Sequence, residues 1–149
     1  MNVDKNPINY KKLGFSENQI HQIMLGLQNN LDITKYAKLE FSGFQMEEIR
    51  WGLEAGLDTS IYANSEFDWM KMSEIREGLK NGLTIDQIKI YAILEFDDEQ
   101  MKQIRLGLED DLNVFIYAKP EIKHNDMNQI RDYLLKRKKA GLNEHWTKI

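Results

Sequence analysis

A segment recurs along this chain with a period of 26 residues, and this repetition constrains the fold more than any other feature of the sequence. Its clearest copy, residues 41–63, reads FSGFQMEEIRWGLEAGLDTSIYA. The aligned copies begin at Phe15, Phe67, Phe96 and Ile122, and one step, from Phe67 to Phe96, is 29 residues long. Such repeats are typical of small units that bury their apolar faces only by packing against neighbouring units.

Each copy predicts one long amphipathic helix, because its apolar residues recur at steps of three and four. In the clearest copy these core-facing residues are Met46, Ile49, Leu53 and Leu57. Ser42 and Gln45 have the spacing of a capping box at the start of the helix. Gly56 is placed to end the helix in a left-handed conformation.

A shorter helix is expected after each long one, carrying a Tyr-Ala pair. Its predicted caps are Asp32, Asp58, Thr84 and Asn113. A glycine also recurs in the middle of the long helix, at Gly26, Gly52, Gly78 and Gly107. Because glycine costs a helix interior about 1 kcal/mol relative to alanine, its repetition predicts the close approach of a neighbouring helix or of a tyrosine ring.

These patterns predict an all-α fold, a right-handed α-solenoid-like array of about five repeats, each made of a long and a short helix. The whole chain, residues 1–149, is interpreted as a single helical-repeat domain. Its units are an N-terminal half-unit at about 6–14, then 15–40, 41–66, 67–95 and 96–121, and a C-terminal capping unit at 122–149.

The charge of the chain is unevenly distributed. Residues 40–111 contain 17 acidic and 7 basic side chains, whereas residues 112–149 contain 4 acidic and 8 basic ones. An acidic middle repels phosphate backbones, so we expect no nucleic-acid binding through that region. The alternative interpretation of these charges is an ordinary solvated helical surface.

The residues that catalysis or metal binding would require are not found in recognisable patterns. The chain contains no cysteine, and His21, His124 and His145 are far apart in the sequence. No phosphate-binding loop or nucleophile motif occurs, so we expect a protein that is not an enzyme and holds no cofactor or metal. The absence of cysteine and of an apolar run of about 18 residues predicts a soluble cytoplasmic protein without membrane contact.

Residues that depart from the repeat are the best candidates for function. Phe44 and Trp51 lie seven residues apart, on the helix side opposite the core face. Trp69 and Met70 occupy similar positions in the next copy, and Leu106 is an equivalent of Trp51. These residues predict a partner-binding surface, and the alternative is a second packing seam. The acidic part of that predicted surface comprises Glu47, Glu48 and Glu54, interpreted as charges on the helix surface.

Two groups of basic residues leave alternatives open. Four of the five repeats carry an arginine at the same position, Arg50, Arg76, Arg105 and Arg131. This column favours a structural ladder of ion pairs but could also bind an acidic ligand. The last helix ends in a basic cluster, which suits either a polar cap on the array or a contact with phosphate or an acidic partner. The cluster consists of Lys136, Arg137, Lys138 and Lys139.

Over about residues 6–135, the chain fits the consensus F-x-x-x-Q-M-x-x-I-R-x-G-L-x-x-G-L-D-x-x-x-Y-A. In this it resembles a family of short helical repeats of Gram-positive bacteria and their phages and mobile elements. The resemblance implies an interaction array without catalytic residues. A small acidic protein of this type is also similar in kind to anti-defence inhibitors, including anti-CRISPR proteins that bind a nuclease effector.

The expected function is therefore a non-enzymatic protein–protein interaction module, with inhibition of a host defence effector as its specialised form. One alternative is a nucleic-acid-binding adaptor that uses the basic last helix. The other is a purely structural array that associates with itself as a homo-oligomer.

Overall fold

The computed structural model describes residues 3–146, and every regular element within that range is helical. The α-helices are α1 (Pro7–Lys12), α2 (Glu17–Gln28), α3 (Gly43–Glu54), α4 (Trp69–Lys80), α5 (Ile85–Tyr91), α6 (Asp98–Glu109) and α7 (His124–Lys139). Three short 3-10 helices lie at Ile33–Lys35, Thr59–Ile61 and Val114–Ile116. The prediction of an all-α protein is confirmed.

The chain divides into two compact units, residues 1–76 and 77–149, with the boundary inside α4. In the first unit α1 packs against α2, and α2 packs against α3. In the second unit α5 packs against α6, and α6 packs against α7. Each unit therefore repeats the packing of one long helix beside the next.

The long helices begin as the capping patterns predict. The Ser42 hydroxyl accepts a hydrogen bond from the Gln45 backbone N–H at 3.1 Å, and the Gln45 side chain accepts one from the Ser42 backbone at 2.9 Å. The Gln45 amide nitrogen then donates to the Phe67 carbonyl, 2.7 Å away, so this residue also ties its repeat to the following one. Helix α7 differs, since its cap residue, Lys123, makes no side-chain hydrogen bond there.

The core consists of the predicted apolar face and the phenylalanine that precedes each of α2, α3, α4 and α6. Met46 and Ile49 are fully buried, and Phe41, just before the cap of α3, is almost so. Leu53 and Leu57, at the far end of the same face, are half-buried. The helix ends as predicted, because Gly56 adopts a left-handed φ of 71°.

A short helix follows each of the first four long helices, as the sequence predicts, but its type varies. Only α5 is an α-helix, and the other three are 3-10 helices of three residues each. The third repeat contains three additional residues, which suffice to extend one turn into an α-helix. The prediction that Asn113 caps its segment is wrong, because the Asn113 side chain makes no capping hydrogen bond. The backbone N–H of Asn113 donates to the Glu144 carboxylate instead.

No helix within residues 3–146 is both long enough and apolar enough to cross a membrane.

Candidate functional site

Buried tyrosine side chains explain the glycine column. The Tyr62 hydroxyl donates a 2.8 Å hydrogen bond to the Glu48 carbonyl inside α3. A Cβ atom at Gly52 would lie only 2.0 Å from this hydroxyl oxygen, and the corresponding distance from Gly78 to the hydroxyl of Tyr91 is 2.1 Å. The glycines are therefore required by packing, as the sequence predicted for a tyrosine ring.

These tyrosines are held as neutral structural groups. Tyr36 and Tyr117 repeat the bond of Tyr62, donating to helix carbonyls at 2.7 Å. Burial raises the pKa of Tyr36 to about 12 and raises the pKa of both Tyr62 and Tyr117 well above the usual range. Since the hydroxyl proton is already committed to a backbone carbonyl, these side chains are not available as acids or nucleophiles.

The arginine column links neighbouring repeats. In each observed link the arginine Nε donates to a side-chain oxygen 28 residues earlier in the chain. The links are Arg50 to Gln22 at 2.8 Å, Arg76 to Glu48 at 2.8 Å, and Arg131 to Gln103 at 3.1 Å. Arg105 also pairs with Glu109 at 2.9 Å within its own helix. This arrangement favours the structural interpretation of the column over an acidic-ligand site.

The prediction that Glu48 is a surface charge is wrong, because only 3% of this residue is exposed. Its position in the repeat faces the neighbouring helix, where its carboxylate pairs with the guanidinium of Arg76. The other two carboxylates of the predicted acidic surface remain partly accessible. The side chains of Glu47 and Glu54 are 32% and 29% exposed, respectively.

An exposed group of large apolar side chains lies on α3 and α4 in the first unit, and we call it the aromatic surface. Its members are Phe44 (61% exposed), Trp51 (38%), Trp69 (43%) and Met70 (40%). The rings of Phe44 and Trp69 lie side by side, with centroids 5.9 Å apart. All four are exposed within the described residues, so the contact between Phe44 and Trp69 does not bury them. Whether these residues bind a partner or form a second packing seam stays a prediction.

The remaining predicted member, Leu106, lies on α6 in the second unit and is half-buried. Its partial burial distinguishes it from the exposed residues of the aromatic surface. Its role in partner binding stays a prediction.

A small cleft beside Phe44 was not predicted from the sequence. It has a volume of about 210 Å³ and is lined by Asn18, Gln22, Gly43, Phe44 and Glu47. We call it the Phe44 cleft. A Cβ atom at Gly43 would lie 2.9 Å from the Cβ of Asn18, so a glycine here allows α2 to approach the start of α3 closely. The signal in the sequence is that glycine follows the helix cap only in this copy of the repeat.

The basic cluster on the last helix is partly used in packing. The Lys138 ammonium donates to the backbone carbonyls of Asp110 and Asp111, at 3.0 and 2.9 Å, just beyond the end of α6. Arg137 donates to the Asn143 carbonyl at 2.5 Å. Lys136 and Lys139 are exposed. Lys138 thus satisfies the carbonyls at the end of α6, which favours the interpretation of the basic cluster as part of a cap on the array.

Two larger grooves lie elsewhere on the described surface. One, of about 370 Å³, includes Ile8 and Met24 among its lining residues, and the other, of about 440 Å³, includes Ile122, Ile130 and Trp146. Within residues 3–146, no three His, Asp or Glu side chains are grouped so that they could hold a metal ion.

No protein-family model matches the chain, and no curated protein and no solved structure is significantly similar to it. The resemblance to short helical repeats of Gram-positive bacteria and their phages stays a prediction. The function is therefore inferred from the geometry of the aromatic surface and its surroundings.

Proposed function

We propose that this protein is a non-enzymatic protein-binding module whose partner docks on the aromatic surface. The observation that carries the proposal is the exposure of four large apolar side chains together on α3 and α4. Contiguous exposed apolar groups mark interaction sites, and tryptophan is enriched among the residues that dominate binding energy. Trp51 and Trp69 supply two such residues.

The polar groups near this surface are arranged for packing, which supports a binding role rather than catalysis. Arg50 donates to Gln22 and Glu54, and Arg76 pairs with Glu48. General acid–base catalysis requires a group that can exchange a proton with a substrate. These side chains instead neutralise one another between neighbouring helices.

The proposal includes a right-handed α-solenoid-like stack of the five repeats. Its support is that the same arginine link joins successive repeats in the first unit and in the second. A compact globular chain of 149 residues has a radius of gyration of about 15 Å. Small-angle X-ray scattering should give a larger value for a stacked array, and a value of about 15 Å would contradict it.

In its narrower form, the proposal assigns the protein to inhibitors of a host defence nuclease, produced in the cytoplasm by a phage or mobile element. The support is the acidic character of residues 40–111, which suits a basic nucleic-acid groove on the partner. A Glu47→Lys/Glu54→Lys variant should then inhibit the nuclease less well. Unchanged inhibition would reject this electrostatic form while leaving the binding module intact.

The alternative of a nucleic-acid adaptor is less well supported. Two of the four basic residues at the end of α7, Arg137 and Lys138, already bond to backbone carbonyls. The absence of a salt-dependent shift with DNA or RNA at low ionic strength would eliminate this alternative.

A comparison of variants in partner capture tests the proposal. Phe44→Ala/Trp51→Ala removes two members of the aromatic surface, while Phe115→Ala removes an equally exposed ring (66%) from the second unit. We expect a host protein captured by the wild type to be retained by Phe115→Ala and lost by the double variant.

The captured partner is then purified and titrated by calorimetry. A residue that dominates an interface contributes about 2 kcal/mol or more, so each single substitution, Phe44→Ala or Trp51→Ala, should raise the Kd at least about 30-fold. Equal affinities of the wild type, these variants and Phe115→Ala would overturn the proposal.

A further inference from the structure

We propose that the Phe44 cleft receives an arginine side chain of the partner, bound between the ring of Phe44 and the carboxylate of Glu47. This inference rests on the proposed function and specifies the chemistry of the partner at the edge of the aromatic surface. Both residues line the same cleft, whose volume is about 210 Å³. An aromatic face together with a carboxylate satisfies both the flat surface and the charge of a guanidinium.

The carboxylate of Glu47 is only weakly engaged within the protein. Its Oε2 accepts a long hydrogen bond of 3.3 Å from Gln22 and lies 3.9 Å from a guanidinium nitrogen of Arg50. Arg50 makes its short contacts elsewhere, at 2.8 Å to Gln22 and 2.6 Å to Glu54. The Oε1 of Glu47 accepts no hydrogen bond from the described residues, so this carboxylate can accept one from a partner.

The carboxylate of Glu47 is more accessible to solvent than the guanidinium groups of Arg50 and Arg76. The side chains of Arg50 and Arg76 are only 9% and 14% exposed, whereas that of Glu47 is 32% exposed. The neighbouring cations are thus withdrawn between the helices while the carboxylate remains accessible. A cationic partner is attracted to such a site, and an anionic partner is repelled.

The same unit already holds an arginine by this chemistry. The guanidinium carbon of Arg76 lies 5.3 Å from the centre of the Trp51 ring, and its Nε bonds the Glu48 carboxylate at 2.8 Å. Phe44 and Glu47 offer the same pair of groups, a ring and a carboxylate, but at an open cleft. Arginine fits this pair better than lysine does, because its planar group can stack on the ring and bond the carboxylate at once.

Binding of a hexa-arginine peptide, with hexa-lysine as the comparison, tests the inference on the full chain by calorimetry at about 0.15 M salt, where surface attraction is screened. We expect hexa-arginine to bind more tightly than hexa-lysine. Glu47→Gln and Phe44→Ala should each weaken hexa-arginine binding at least tenfold. Phe44→Leu, which keeps an apolar side chain but removes the ring, should weaken it to a similar extent.

Glu99→Gln is the matched control, because it removes one exposed carboxylate from the same repeat position as Phe44 but in the second unit. It should change the affinity less than twofold. Equal weakening by Glu47→Gln and Glu99→Gln, or no binding of hexa-arginine at all, would overturn the inference. If hexa-arginine binding failed but partner capture still depended on Phe44 and Trp51, the proposed function would stand and only the arginine site would be rejected. If partner capture did not depend on Phe44 and Trp51, the proposed function itself would fail.

Discussion

At the scale of single residues, the recurring mid-helix glycines matter because a tyrosine hydroxyl occupies the space where each side chain would begin. In α3 the neighbours of Gly52 are the Tyr62 hydroxyl and the Thr59 methyl group, which a Cβ atom would approach to 2.0 and 2.8 Å. Tyr62 is fully buried, so its rigid ring has little room to move away. The close approach of ring and helix therefore depends on the missing side chain.

Gly52→Ala is expected to destabilise the protein, although alanine is normally the better helix former by about 1 kcal/mol. The steric clash should exceed that gain and leave a net loss of about 1–3 kcal/mol in the free energy of unfolding. Urea denaturation measures the change. In the Tyr62→Phe background the hydroxyl is gone, so the same alanine should cost less. An alanine variant as stable as the wild type would contradict the packing argument.

The buried hydroxyl of Tyr36 should make the protein less stable at alkaline pH. Burial raises its pKa from 10.0 to about 12, so the unfolded chain releases the hydroxyl proton at a lower pH than the folded protein does. The stabilisation is therefore complete below pH 10 and is lost as the pH rises from 10 towards 12. The free energy of unfolding should fall there by up to about 1.4 kcal/mol per pH unit for this residue.

Urea denaturation at a series of pH values measures this fall. Tyr36→Phe, which has no proton to lose, should show a smaller fall over the same interval. Identical pH dependence in the wild type and in Tyr36→Phe would show that the ionisation of Tyr36 is not linked to folding.

Some features of single residues could be predicted from the sequence and others could not. The glycine column predicted a close approach because four copies share it, and the structure supplies the tyrosine. The sequence predicts a surface charge at Glu48, because glutamate is rarely buried unless it is paired. Its partner, Arg76, is 28 residues away, and no spacing within one helix reveals that pairing. Phe44 and Trp51 break the repeat on the side opposite the core face, which predicts either a partner-binding surface or a second seam, and the structure leaves both exposed.

At the scale of elements, one arginine hydrogen bond recurs between neighbouring long helices, and its acceptor varies. In the Arg50 and Arg131 links the acceptor is a glutamine, and in the Arg76 link it is Glu48. The geometry of the link therefore does not depend on a negative charge on the acceptor. The contribution of the link to stability depends on an acceptor oxygen 28 residues before the arginine.

Glu48→Gln should consequently be tolerated, with a change below about 1 kcal/mol in the free energy of unfolding, whereas Glu48→Ala should cost about 3 kcal/mol. The alanine variant removes the acceptor of the Nε–H of Arg76, whose side chain is only 14% exposed. Glu54→Ala is the control, since Glu54 pairs with Arg50 from a more exposed position and should cost less than about 1 kcal/mol. Chemical denaturation measures all three. Equal losses for the Gln and Ala variants would show that charge, and not the acceptor position, stabilises the link.

The elements that the sequence described least well are the short segments after each long helix. Asp32 and Asp58 were identified as caps, and each does accept a hydrogen bond from the backbone two residues further on. The tyrosine, however, follows only four residues after the cap, and its ring must reach the glycine of the preceding helix. That tertiary contact limits the segment to a 3-10 turn, and local propensity does not report it.

At the scale of the whole molecule, the first and last repeats differ from the others at the positions that join neighbours. The first repeat has Met24 where the following repeats have the linking arginine. In the last repeat Tyr133 occupies the glycine position, and its ring contacts Trp146 with centroids 5.2 Å apart. A further tyrosine could not place its hydroxyl over that position. Both terminal repeats therefore lack the features that would continue the array into a second copy of the chain.

We accordingly predict that the protein does not associate end to end. Light scattering should give the mass of a single chain, 17.6 kDa, across a wide range of protein concentrations. Ile8→Asp changes an exposed residue of α1, in the N-terminal half-unit, and Trp51→Ala changes the aromatic surface. If the wild-type mass rises with concentration and the Ile8→Asp variant keeps the mass of a single chain, the protein associates through its N-terminal end and the prediction is refuted. The same result in Trp51→Ala would instead identify the aromatic surface as a contact between copies, because removing that ring would then abolish self-association while both ends remain unchanged.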